Sequence, residues 1–145
     1  MSEYHLILPW PPSNNTYYRH ARGRNYISEK GKQYARAVND IIQQQNLAVK
    51  TPHRLSVTIY ASPPDIRTRD LDNLSKGVLD ALTKAGFWLD DGQIDVLRLE
   101  RLEKRKGGGL LVVVRELESK PKRWDDIFDS FFSWAARLIN KGENA

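Results

Sequence analysis

Three aspartates and one lysine are the residues of this sequence best suited to chemistry. Asp70 and Asp72 stand two apart in the segment Arg67-Thr68-Arg69-Asp70-Leu71-Asp72-Asn73-Leu74-Ser75-Lys76, and Asp91 follows in the pair Asp90-Asp91. Carboxylates converging from different elements supply the hard, negatively charged oxygens that a cation such as Mg²⁺ requires, and a cation so held polarises a phosphate oxygen and activates water. Lys76 is placed to stabilise charge developing on a phosphoryl group. Plainer roles fit the same residues. Asp70 or Asp72 can cap a helix and complement its dipole. Asp72 and Lys76 are four apart, a helical ion pair worth about 0.2–0.5 kcal/mol. Asp91-Gly92 can be only a turn. The D-x-D pattern is common, and spacing by itself leaves these choices open.

The elements that must position these groups are legible from periodicity. Tyr4 to Leu8 predicts a first strand, ended by Pro9. Pro9, Pro11 and Pro12 with Ser13, Asn14 and Asn15 predict a stiff loop that continues through the basic run Arg19, His20, Arg22 and Arg24, with a brief extended piece at Tyr26 and Ile27. Ser28 is the expected N-cap of a helix reaching about Gln45, with Tyr34, Val38, Ile41 and Ile42 on its apolar face. Gly31 is expected to cost that helix up to about 1 kcal/mol. Leu55, Val57 and Ile59 alternate with polar neighbours as a half-buried strand ended by Pro63 and Pro64. A second helix is expected over Leu71 to Ala85, stopped by Gly86. Val96 to Glu103 and Leu110 to Val114 complete a β-α-β-α-β-β order. That order predicts an α+β fold: a mixed sheet with helices packed on it, plus a C-terminal helical extension.

Composition narrows the function classes. The chain has 145 residues and no cysteine, which excludes disulfides and thiolate metal sites. No stretch approaches the ~20 apolar residues of a membrane span, so a cytoplasmic protein is expected. Lysine and arginine number 23 against 18 acidic residues, a net charge of +5. From Pro121 onward basic and acidic residues balance, so the excess lies before it. Arg19, Arg22 and Arg24, then Arg67 and Arg69, then Lys104, Arg105 and Lys106 occupy three separate segments. Such a pattern suits contacts to a phosphate backbone, which position a nucleic acid without specifying its sequence. Tyr17 and Tyr18 beside the first group can stack on bases or pack in the core.

Longer motifs add to this. Leu8-Pro9-Trp10-Pro11-Pro12-Ser13-Asn14-Asn15 followed by Tyr17-Tyr18-Arg19-His20 resembles the N-terminal signature of the RusA family of Holliday-junction resolvases. So does Arg69-Asp70-Leu71-Asp72-Asn73-Leu74 with Lys76, and the run from Asp80 to Asp91 is similar to the family's central block. The resemblance covers roughly residues 4–117. It implies a phage- or prophage-type enzyme, a homodimer that nicks four-way DNA junctions symmetrically with Mg²⁺, Mn²⁺ serving as a substitute, and that cuts beside CC dinucleotides. By motif match the metal-binding carboxylates are Asp70, Asp72 and Asp91, the essential lysine is Lys76, and the arginine beside the first aspartate is Arg69; Asp90 is a lesser candidate. Two other classes stand beside this one. The chain can be a nuclease acting mainly on forks or flaps, or a junction-binding module without catalysis.

The resemblance ends near Leu117, whereas the chain continues to Ala145. A nuclease domain over 1–120 and an amphipathic helix within 121–145 are therefore expected. Trp124, Ile127, Phe128, Phe131, Ala135 and Leu138 recur at helical spacing, with acidic residues early and basic ones late, in the sense the helix dipole favours. This face is expected to pack on its own domain or its dimer mate. Docking on another protein and lying on a membrane are the alternatives; the membrane is disfavoured by the lack of a basic face.

Overall fold

The computed structural model describes residues 2–118 and 120–143. The elements are β1 (Glu3–Leu8), α1 (Asn14–Tyr17), β2 (Tyr18–Ala21), β3 (Arg24–Ile27), α2 (Glu29–Gln44), β4 (Arg54–Ser62), α3 (Asp72–Lys84), β5 (Ile94–Arg101), β6 (Gly109–Leu117) and α4 (Trp124–Glu143). A 3₁₀ turn at Asp91–Gln93 lies between α3 and β5. Four strands form a mixed sheet in the order β1-β6-β4-β5, with β6 antiparallel to both neighbours and β5 parallel to β4. This is the α+β fold with a mixed sheet and a C-terminal helix that the sequence predicts.

Two parts differ from expectation. The segment expected as loop is not all loop: Asn14–Tyr17 form the short helix α1, and the basic run that follows forms the β2–β3 hairpin. The hairpin turns at Arg22 and Gly23, whose φ values of 52° and 72° are both left-handed, as a tight two-residue turn demands. β6 also runs well past Val114, to Leu117. It lies between two strands, and the backbone ladder carries Arg115 and Glu116 along whatever their polarity.

One face of the sheet is the core. Leu6 and Leu8 of β1, Leu55, Val57 and Ile59 of β4, and Leu110, Val112 and Val114 of β6 alternate inward and are buried. Val38 and Ile42 of α2 and Val78, Ala81 and Leu82 of α3 close over them. Burial of one such aliphatic side chain stabilises by about 1.5–3 kcal/mol. Ser28 caps α2 as expected, its Oγ accepting from the Gly31 amide at 3.1 Å.

Tyr17 wedges between the two helices. A Cβ on Gly31 would lie 2.7 Å from the Tyr17 carbonyl oxygen, and a Cβ on Gly77 would lie 2.6 Å from its ring. Gly31 is therefore a close-approach site and not merely a weak helix former. Tyr17 is buried, so of the two tyrosines it is the one that packs in the core.

α4 stands apart from this core. Among its described side chains only Ala135 is even partly buried, so the helix's own domain does not cover its apolar face. Among the described residues no helix is long and apolar enough to cross a membrane.

Candidate active site

The loop that carries Asp91 is built with care. Gly86, with φ of 80°, ends α3, and the amides of Gly86 and Phe87 bond back to the carbonyls of Thr83 and Leu82, the hydrogen-bond pair of a Schellman stop. Gln93 then clamps the segment from inside. Its Oε1 accepts from the Leu89 and Asp90 amides at 2.9 and 2.8 Å, and its Nε2 donates to the Thr51 and His53 carbonyls at 2.8 Å each. All four bonds of this buried amide are satisfied. The Asp90 side chain accepts from the Gly92 amide at 3.0 Å and caps the 3₁₀ turn. Of the two adjacent aspartates, Asp90 is thus engaged in the turn, and Asp91, the less exposed of the two, is the one that faces Asp80 and Lys76.

The start of α3 presents the other two. The helix is capped at Leu71 with no side-chain hydrogen bond, so neither Asp70 nor Asp72 uses its carboxylate as a cap. Asp70 lies between two grooves of about 620 and 360 Å³, both lined by Trp10, Arg69 and Leu74. The Asp72 carbonyl accepts from Asn14 Nδ2 at 3.1 Å, and the Asn14 Oδ1 beside it is buried without a partner among the described residues.

Lys76 does not pair with Asp72. It donates to Asp80 at 2.8 Å, one turn further along α3, and lies 4.1 Å from the centre of the Tyr18 ring, within cation–π range. The Tyr18 hydroxyl donates to the same Asp80 carboxylate. Asp91 faces Asp80 as well. Burial raises the Asp91 pKa, and the nearby Asp80 and Asp90 carboxylates raise it further, against a smaller lowering by Lys76. The Tyr18 hydroxyl is raised too, by burial and then by Asp80. The cluster Tyr18, Lys76, Asp80 and Asp91 therefore joins β2, α3 and the turn before β5. Sequence reasoning gave no site role to Asp80 or Gln93 and read Tyr18 only as a base-stacking or core residue, although Tyr18 and Asp80 both lie within the family-like motifs and Asp80 stands four residues after Lys76.

Among the described residues no three acidic or histidine side chains are gathered into a ready cage for an ion. The donor chemistry nonetheless fits a hard cation. Asp70, Asp72 and Asp91 are carboxylates in no salt bridge among the described residues, whereas Asp65, Asp80 and Asp95 are each neutralised by a basic neighbour. Burial first, and then the Asp80 and Asp90 carboxylates, raise the Asp91 pKa, a penalty that a cation bound beside Asp91 would offset.

The basic residues are distributed unequally. Arg19 and Arg24 lie on the hairpin face that carries exposed Tyr26, opposite the face that carries half-buried Tyr18 and Ile27. Lys104, Arg105 and Lys106 are exposed in the β5–β6 loop. Arg67 and Arg69 instead both grip Asp65, at 2.9 and 2.7 Å, and Arg69 lies 5.6 Å from the Trp10 ring centre.

The sequence model of the family Endodeoxyribonuclease RusA matches residues 9–115 of this chain. The chain belongs to the RusA family. It is 48% identical over 117 residues to the crossover junction endodeoxyribonuclease RusA of Enterobacteria phage 82, a match covering 81% of this chain and 98% of that one. It is 46% identical over 117 residues to the RusA protein of Escherichia coli K12, with the same coverage. To the Enterobacteria phage HK97 protein of that name it is 48% identical over 119 residues, covering 82% and 99%. The RusA match ends before α4 begins.

Proposed function

We propose that this chain is a crossover junction endodeoxyribonuclease, which resolves Holliday junctions formed in DNA recombination and repair by hydrolysing a phosphodiester in each of two strands. The observation that carries this is membership of the RusA family at 46–48% identity over nearly the full length of relatives named for that activity. The proposed cofactor is Mg²⁺, with Mn²⁺ as a substitute, held by Asp70, Asp72 and Asp91. When bound, it supplies a Lewis acid for the phosphate oxygen and a water of lowered pKa.

The chain's own groups do the rest. Gln93 fixes the backbone that presents Asp91, and Asn14 holds the backbone of Asp72. The Lys76 ammonium, steadied by Asp80 and the Tyr18 ring, meets the charge that builds on the scissile phosphate. Arg19, Arg22 and Arg24 on the hairpin, with Lys104, Arg105 and Lys106, grip the sugar–phosphate backbone, and Arg67 and Arg69 with Asp65 shape the groove beside Asp70. A four-way junction presents two equivalent strands, and a two-fold homodimer presents two equivalent sites to them. The work is done in the cytoplasm, where the DNA is.

The test is nicking of a synthetic four-way junction with and without Mg²⁺, beside fork and flap substrates of the same sequence. The wild type nicks the junction symmetrically only with metal. Asp70→Asn, Asp72→Asn and Asp91→Asn each abolish nicking and retain junction binding. Nicking retained by Asp70→Asn overturns the metal assignment, and faster cleavage of flaps overturns the junction assignment. Binding without nicking at any metal concentration leaves only a binding module.

A further inference from the structure

We propose that α4 is a self-association helix that pairs antiparallel with α4 of a second copy of this chain. The inference adds to the homodimer reading above a contact that lies outside the RusA-matched residues 9–115, and it does not depend on the nuclease activity.

The helix is about 30 Å long at 1.5 Å per residue. Its apolar face is open, from Phe128 at 42% exposure to Trp124 at 76%. Aromatic side chains present about 150–250 Å² each, so a half-exposed face of this length offers on the order of 800 Å² per copy. That is the per-partner area of a standard stable interface. The face also carries a shallow groove of about 300 Å³, lined only by Trp124, Ile127, Phe128 and Phe131 of α4 itself.

The sequence of the face selects the occupant. Trp124, Phe128, Phe131, Ala135, Leu138 and Gly142 follow one another at alternating intervals of four and three, the seam of a two-helix pair. Large residues fill its first half and small ones are frequent in its second. A parallel partner sets Trp124 against Trp124 and Phe131 against Phe131. An antiparallel partner, related by a two-fold axis level with Ser133, sets Phe131 against Ala135, Phe128 against Leu138 and Trp124 against Gly142. Large then meets small at the ends and near the centre, and the partner's Leu138 faces the groove.

Charge selects the same orientation. Asp125, Asp126 and Asp129 crowd the first turns, and Arg137 and Lys141 the last. Antiparallel pairing lays the acidic end of one helix beside the basic end of the other and opposes the two dipoles; parallel pairing does the reverse. A lipid surface fits less well, because the polar face begins with three acids.

The chain has no native cysteine, so orientation can be read by single-cysteine crosslinking of the full chain. Oxidation of an equimolar mixture of Phe131→Cys and Ala135→Cys chains is expected to yield a 131–135 crosslinked pair, whereas Leu138→Cys alone is expected to remain uncrosslinked. In sedimentation, the double variant Phe128→Lys, Phe131→Lys is expected to weaken self-association at least tenfold with unchanged melting of the domain. Crosslinking of Leu138→Cys to itself overturns the orientation. No crosslink in the mixture, or an unchanged sedimentation profile, overturns the pairing; a double variant that is still dimeric then shows that the nuclease domains pair by themselves. A monomeric wild type that floats with anionic vesicles overturns it in favour of a lipid surface.

Discussion

Lys76 has an aspartate one turn before it and another one turn after it, and local sequence does not choose between them. The choice is made by Tyr18, which arrives from β2 and brings its hydroxyl to Asp80. Asp72 is thereby left without a cation, as the proposed metal ligation requires. Lys76→Ala is expected to lower the single-turnover nicking rate by about 10²–10³-fold with junction affinity little changed. Asp80→Asn is expected to cost about tenfold, in the lower range for a group that orients another. A loss at Asp80 as complete as that at Asp91 would make it a direct ligand. The same reasoning explains why Asp90 and Asp91 could not be ranked on spacing: which one caps depends on the turn that Gln93 closes from the far side of the loop. Residue types at the site were readable in the sequence, but the partners they take across 40 to 60 positions were not.

At the scale of elements, the long amphipathic pieces were legible because burial on one face writes a period into the chain. Tyr34, Val38 and Ile42 mark α2, and Leu55, Val57 and Ile59 mark β4. The β2–β3 hairpin writes no such period. Most of its residues are exposed, and its turn is Arg22-Gly23 where an Asn-Gly or Asp-Gly pair would have announced it. It is held to the body by Tyr17, seated against Gly31 and Gly77, and so by a long-range fit. Gly77→Ala puts a methyl into the Tyr17 ring and is expected to destabilise by about 1–3 kcal/mol. It is also expected to slow nicking, because Tyr18 follows directly and must keep its place at Lys76. In Gly77→Ala combined with Tyr17→Ala the clash is gone, so the double variant should melt no lower than Tyr17→Ala alone. Strictly additive losses would show that the tyrosine is not the element's anchor.

For the whole molecule, Glu116 is the acid that joins the chain's distant parts. Burial raises its pKa, but the Thr51 hydroxyl, the Ser2 amide, His53 and the Tyr4 hydroxyl outweigh that and leave it below the ordinary glutamate value. A carboxylate with a depressed folded pKa stabilises above its unfolded pKa and loses that contribution as pH falls through the folded one. The wild type is therefore expected to lose melting temperature on acidification below the usual glutamate range, and Glu116→Gln to start lower and lose less over the same interval. Parallel melting curves for the two would remove Glu116 from the acid transition. The strand order behind these bonds also bears on how the protein is made. β6, the last strand, enters between β1 and β4, so a nascent chain that has emerged only as far as β5 holds two separate strand edges with a vacancy between them. Sheet closure must wait until β6 has left the ribosome, and until then the open edges of β1 and β4 are the surfaces a chaperone would have to guard.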